Sequence, residues 1–415
     1  MPGNYGMKDQ VMAPRWGGIT SRFRRRRGEG HHLPGECWGR LRPPAHNGCS
    51  KDHQHRITTL PGLTGNPGGA AQHRRDLGRQ HLQHVFLRCL QAADAKQLVE
   101  LSQDFFEWFL FPMRMGPRVD GDFLPDDPEV LLRDAKHAHV DVLSGVTANE
   151  GAFVINALEA NENTLRSLQE NFSDSGPISI GLEPEDLDPV ASSTKVFQYY
   201  LGDILIDVDH YEQLMKLFTD RHFSLGHDLT TLFHSRVANT YRYSLDHRAE
   251  LTFSDLLSKE RKTQWISHCD DLFYLFRGGP LLQLGRKELQ DLAREDDLAL
   301  REVILNTWTN FAATGNPTPD AALGFVWEAV SEDNLHYLSL TPTPTMQLDR
   351  KKEMRQLFAS LPTRQNRILF PNREDQGGES VLEEDQEDKG QDDEDDLGMM
   401  EAEVAFSRQF TQDEL

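Results

Sequence analysis

Apolar positions recur at helical spacing through VFLRCLQAADAKQLVELSQDFFEWFL (85–110), which predicts an amphipathic helix. VDVLSGV (140–146) is a short β-branched run that reads as a buried strand, and TYRYSL (240–245) and LHYLSL (335–340) are two further strands. LALREVILNTWTNFAATG (298–315) is patterned as a helix that stops at Gly315, with Asn316-Pro317 directly after it. Strands alternating with longer helices predict an α/β architecture with a largely parallel sheet. No internal repeat is present. Residues 17–84 have neither a helical nor a strand period, being dense in Gly, Pro, Arg and His.

Charge sharpens these divisions. Residues 1–90 carry 15 Lys/Arg against 5 Asp/Glu, whereas residues 373–415 carry 3 against 17. A segment like 17–84 buries too little apolar surface to offset the ordering of its backbone, so disorder is the expectation there. A basic arm for nucleic acid is the alternative, but no aromatic residues interleave the charges. The acidic run after 373 repels itself and reads as a solvated, disordered tail. The overall charge of -22 argues against nucleic acid as a partner, because phosphates need clustered cations. No stretch reaches the ~20 apolar residues of a membrane span, so a soluble or lumenal protein is expected. MPGNYGMKDQ lacks the apolar core of a signal peptide.

The four cysteines, Cys37, Cys49, Cys89 and Cys269, include no CxxC pair, which argues against structural zinc. Asn171-Phe172-Ser173 is a glycosylation sequon, and the terminal QDEL differs from the lumenal retention signal KDEL at its first position. One polar knot stands out. In WISHCDDLFYLF (265–276), His268 is a metal ligand, half of a Cys/His dyad, a proton relay or a core histidine. A metal needs further ligands converging from elsewhere, and the sequence offers no second cluster. A dyad with Cys269 is awkward, since neighbouring side chains rarely face each other. A relay needs a carboxylate to fix its tautomer. Glu150 in SGVTANEGAFVI (144–155) follows a strand, and Gly151 lets the backbone turn sharply beside it. The relay and the core histidine both stay open on these residues.

Four segments, in order, resemble the C-terminal half of the type-B carboxylesterases, the family that includes cholinesterases and the catalytically dead neuroligins. RVDGDFLPDDPEVL (118–131) resembles the family's VDG.FLP..P..LL, and residues 144–151 resemble the turn GV..DEG that carries its acid. HCDDLFYLF (268–276) resembles HGDEL.FVFG, which carries the base, and TWTNFAATGNPTP (307–319) resembles a structural helix end. The resemblance implies an α/β-hydrolase fold, here incomplete, and hydrolysis of small-molecule carboxylic esters through an acyl-serine intermediate. Carried over by position, Glu150 matches the acid and His268 the base, with no metal and no cofactor implied. Cys269 stands where the family has Gly. Cys89 resembles a family cysteine that closes a short disulfide, but its partner upstream is missing. Secretion or residence in the endoplasmic reticulum lumen, and homo- or hetero-oligomers, follow from the same resemblance.

The family's nucleophile sits in a G-x-S-x-G elbow. No G-x-S-x-G occurs in this sequence, and the upstream glycine pair of the oxyanion hole is absent too. MPGNYGMKDQVMAPRW (1–16) resembles a family segment that shortly precedes that elbow. The expected organisation is therefore a family-like segment at 1–16 and a low-complexity stretch at 17–84 that reads as out-of-frame or misjoined. The C-terminal half of the hydrolase domain follows at 85–372, and the acidic tail at 373–415. As printed, an inactive hydrolase is expected. The alternative is a non-catalytic adhesion or protein-interaction protein.

Overall fold

The computed structural model describes Met7 and residues 89–371, apart from 102–104, 113–116, 204, 258–262, 277–290 and 332–333. The expectations for 17–84, for the acidic tail, for Cys37 and Cys49 and for most of segment 1–16 lie outside the described residues.

A four-stranded mixed sheet organises the described chain, with strands β1 (Val142–Thr147), β2 (Thr240–Leu245), β3 (Tyr337–Leu340) and β4 (Thr345–Gln347) in that spatial order. β1 pairs with β2 in parallel, β2 with β3 in parallel, and β3 with β4 antiparallel. The three predicted strands are all present, and TYRYSL is β2 without a residue's error. Long helical crossovers supply the parallel pairings, as a parallel sheet demands. The first contains the helices Ala152–Ala160, Glu162–Glu170, Phe172–Ser179, Pro189–Leu201, Tyr211–Thr219 and Leu225–Ser235, and the second contains Glu295–Thr314. This arrangement is the α/β-hydrolase architecture in part.

Strand alternation divides the sheet into two chemically different faces. Leu143, Tyr241, Tyr243, Leu245, Leu338 and Leu340 share one face and join the core around Trp327 and the helix Glu295–Thr314. That helix offers Leu300, Ile304, Thr307 and Phe311 as its buried stripe, at the i, i+4, i+7, i+11 spacing of one helical face. It begins three residues before the predicted start, because Glu295, Asp296 and Asp297 favour its positive N-terminus. It stops at Gly315 as predicted, with φ at 79°. A Cβ there would lie 2.6 Å from Asp141 Oδ2, so glycine is required twice over, by conformation and by space.

The second face is polar and yet buried. Ser144 faces His227 (Oγ to Nε2, 3.2 Å), and Arg242 pairs with Asp228 on the helix Leu225–Ser235. Arg355 closes the cluster on Asp228 Oδ2 at 2.7 Å. Burial alone would raise the Asp228 carboxyl, but Arg242 and Arg355 hold it far below the usual range.

The helix predicted over 85–110 is the clear departure. Among the described residues the span breaks into a helical turn at 89–92 and the helix Ala95–Leu101, which buries nothing. Trp108 and Phe111 instead face each other in an isolated antiparallel bridge and enter the first core cluster. Trp108 Nε1 donates to the Thr164 carbonyl at 3.1 Å, and the Phe111 ring stacks on His222 at 4.6 Å. Aromatic contacts with distant helices override the local helical period.

Candidate active site

Glu150 sits three residues beyond the end of β1. Its Oε1 accepts the Thr147 backbone N–H at 2.8 Å, which folds the side chain back over the strand end. Asn149 ties this turn to the other half of the site: its N–H donates to the Ile266 carbonyl and its Oδ1 accepts the Ile266 N–H, each at 3.0 Å. The amide side chain thus acts as an additional peptide group, and Asn149 and Ser267 form an isolated parallel bridge. His268 follows that bridge rather than a strand of its own.

Gly151 does not supply a sharp turn, since its backbone is ordinary right-handed helical (φ -65°). Its role is space. A Cβ would lie 2.3 Å from the Met215 carbonyl oxygen and 2.7 Å from the Thr219 nitrogen, so glycine lets the helix Tyr211–Thr219 press against the acid's turn. The Gly151 N–H donates to Thr219 Oγ1 at 2.9 Å.

His268 Nδ1 lies 2.6 Å from Glu150 Oε2, with the two side chains 24% and 8% exposed. The rings of Phe153 and Phe223 flank the imidazole at 5.3 and 5.0 Å between centroids. Phe223 comes from a π-helical turn, Asp220–Ser224, a geometry that recurs at functional sites. Burial pushes His268 down, but the Glu150 carboxylate and a hydrogen bond with the Cys269 side chain pull it up to about 10. The pair thus favours the imidazolium form of His268 more than a free histidine does.

The Cys269 side chain is among the groups that help His268 hold its proton. Cys269 has φ at 74°, in the left-handed region that favours glycine. The glycine of the family's motif thus has a backbone reason, and this chain meets the same conformation with a cysteine. Cys89 is exposed, and among the described residues neither it nor Cys269 forms a disulfide.

Asp270 and Asp271 complete the turn. Asp270 is buried and accepts from the Ser267 and Phe253 N–H groups and from the Thr252 hydroxyl, at 2.7, 2.8 and 2.6 Å. Asp271 accepts a long hydrogen bond, 3.4 Å, from the Tyr243 hydroxyl.

Two further clusters escape sequence reading. Ser144, His227 and Asp228 stand in the order of a hydrolytic triad, with His227 Nδ1 3.8 Å from Asp228 Oδ1. All three are buried, and the Asp228 carboxylate is committed to two arginines, so the arrangement is structural. His247, Asp296 and Asp297 bring ligand-type atoms within 4.8 Å of one another. The Arg294 guanidinium already donates to both carboxylates, at 3.0 to 3.2 Å, and Glu250 N–H donates to Asp297. Those donors neutralise the charge that a metal would need. Asn171 is exposed at the junction of two helices.

A strand-end carboxylate is bonded to a loop histidine beside a mixed sheet flanked by helices, within an incomplete α/β-hydrolase fold. The chain belongs to the carboxylesterase family, whose model matches residues 70–358. It is 23% identical over 399 residues to venom carboxylesterase-6 of Apis mellifera, a match covering 89% of this chain and 68% of that protein. Juvenile hormone esterase of Tribolium castaneum is 26% identical over 362 residues, covering 78% and 60%. Neuroligin-3 of Homo sapiens is 28% identical over 232 residues, covering 55% of this chain but 26% of its own length. A solved PNB esterase superposes with a TM-score of 0.46 and 19% identity, covering 65% of this chain and 50% of that one. Among the described residues, no helix is long and apolar enough to cross a membrane.

Proposed function

We propose that Glu150 and His268 are the acid and base of a site for hydrolysing small-molecule carboxylic esters, and that this 415-residue sequence carries that half of the machinery without its serine. The observation that supports the reading is the 2.6 Å bond between two residues 118 positions apart, each in its family motif. In such chemistry the histidine takes the hydroxyl proton as oxygen attacks the ester carbonyl, then gives it to the leaving alcohol. The carboxylate holds the ring's tautomer and stabilises the imidazolium. Without G-x-S-x-G the first leg has no nucleophile, and losing a triad serine costs about 10⁶ in turnover.

The test is turnover of a chromogenic short-acyl ester by the full chain and by His268→Ala. The expected result is near-background turnover, the same in both. Turnover well above background that His268→Ala abolishes overturns the serine-less reading. A non-catalytic, protein-binding role is the second reading, favoured by the neuroligin relatives and by the missing motif. The segment 17–84 is proposed as an out-of-frame or misjoined replacement for the nucleophile region; sequencing the transcript across codons 14–88 tests it, and a shifted frame that encodes G-x-S-x-G is the expected finding. Glycosylation at Asn171 in a lumenal or secreted setting is proposed with it, supported by that residue's exposure.

A further inference from the structure

We propose that Asp270 is the positioning residue for His268: its buried carboxylate holds the turn that carries the ring and so sets the hydrogen bond to Glu150. This inference deepens the reading of Glu150 and His268 as acid and base, and rests on it.

Asp270 lies two residues beyond His268 and is 2% exposed. Its Oδ2 accepts the Ser267 N–H at 2.7 Å, while its own N–H donates to the Ser267 carbonyl at 3.1 Å. Residue 270 therefore grips Ser267 by both polar groups of its backbone, with His268 enclosed between them. The same carboxylate reaches outward. Oδ2 also accepts the Thr252 hydroxyl at 2.6 Å, and Oδ1 the Phe253 N–H at 2.8 Å, at the start of the helix Phe253–Leu257. That helix is tied in turn to Ala152–Ala160, through Asn156 Nδ2 and Ser254 Oγ at 3.3 Å. Ala152–Ala160 begins two residues after Glu150. A closed circuit results, from Glu150 through two helices to Asp270, Ser267, His268 and back to Glu150.

A filler would not need a charge at this place. Burial pushes Asp270 up to about 7 against the hydrogen bonds that lower it, so the carboxylate is retained at a cost to stability. No neutral side chain of that size accepts from three donors. Asp270→Asn would aim an NH₂ at the N–H of either Ser267 or Phe253.

The experiment is NMR of the full chain with ¹⁵N-labelled histidine, following the His268 Nδ1–H proton, which is assigned by its loss in His268→Ala. Asp270→Asn should move this resonance upfield or lose it to exchange. Thr252→Val, which keeps the Asp270 side chain in place and removes one donor, should move it the same way by less. Leu168→Ala, a core lesion in a different helix, should leave it in place. A resonance unmoved by both Asp270→Asn and Thr252→Val, with stability lowered as in Leu168→Ala, overturns the positioning role. If Asp270→Asn does not fold, Thr252→Val decides alone. A proton that does not respond to Glu150→Gln shows instead that the acid–base reading itself has failed, and the inference falls with it.

Discussion

Replacing Glu150 by glutamine removes a charge while keeping the shape, and so isolates what the carboxylate does to His268. The wild-type pair is 2.6 Å apart and mostly shielded from water, and His268 is held up at about 10 against a burial effect that pushes it down. Without the anion, burial is opposed only by the Cys269 side chain, and the ring should titrate well below the wild type, towards its ordinary value of 6.5. A shift of that size corresponds to about 3–5 kcal/mol of interaction, at roughly 1.4 kcal/mol per pH unit. The sign follows from linkage. The folded state binds the proton more tightly, so the pair's contribution is complete below pH ~6.5 and is lost as pH rises towards ~10. Urea unfolding at several pH values should show wild-type stability falling across that window, and Glu150→Gln lacking that fall. NMR titration of the His268 ring gives the midpoint directly. Equal midpoints in wild type and Glu150→Gln would refute the reasoning, since the carboxylate would then not govern the ring.

Three further substitutions test the rest of the account. Asp228→Asn leaves Arg242 buried without its anion and Arg355 with Asp349 alone, and should cost about 3–5 kcal/mol by denaturant unfolding. Cys269→Gly relieves the left-handed backbone at φ 74° and should change stability by +1 kcal/mol or so in the protein's favour, read as a raised Tm. Gly315→Ala meets both positive φ and Asp141, and should lower stability by about 1–3 kcal/mol.

The legible parts of this chain are those whose signal is local. β2 is six residues of period-two alternation, and the stop at Gly315 follows from the αL cap that only glycine enters without strain. The Glu150–His268 pair was raised by a carboxylate behind a strand and a histidine in a polar turn, but singled out through motif resemblance, because no local rule joins residues 118 apart. The alternation in TYRYSL shows that Arg242 and Ser244 oppose the tyrosines but not that their face is buried. Its cover comes from Asp228 and Arg355, the latter 127 residues from that aspartate. The aromatic run at 105–111 satisfies a helical period, yet its rings are claimed by Thr164, His222 and Phe218. The left-handed Cys269 had a faint signal, since a position where relatives hold glycine is a position where φ is suspect.

The central claim, an acid–base pair without a serine nucleophile, is tested most directly by a serine-reactive fluorophosphonate probe. The full chain and its His268→Ala variant would be treated with the probe and digested for mass spectrometry. The account predicts no covalent serine adduct in either protein. An adduct on one serine of the wild type that disappears in His268→Ala would contradict it, because a His268-activated nucleophile would then exist in this sequence.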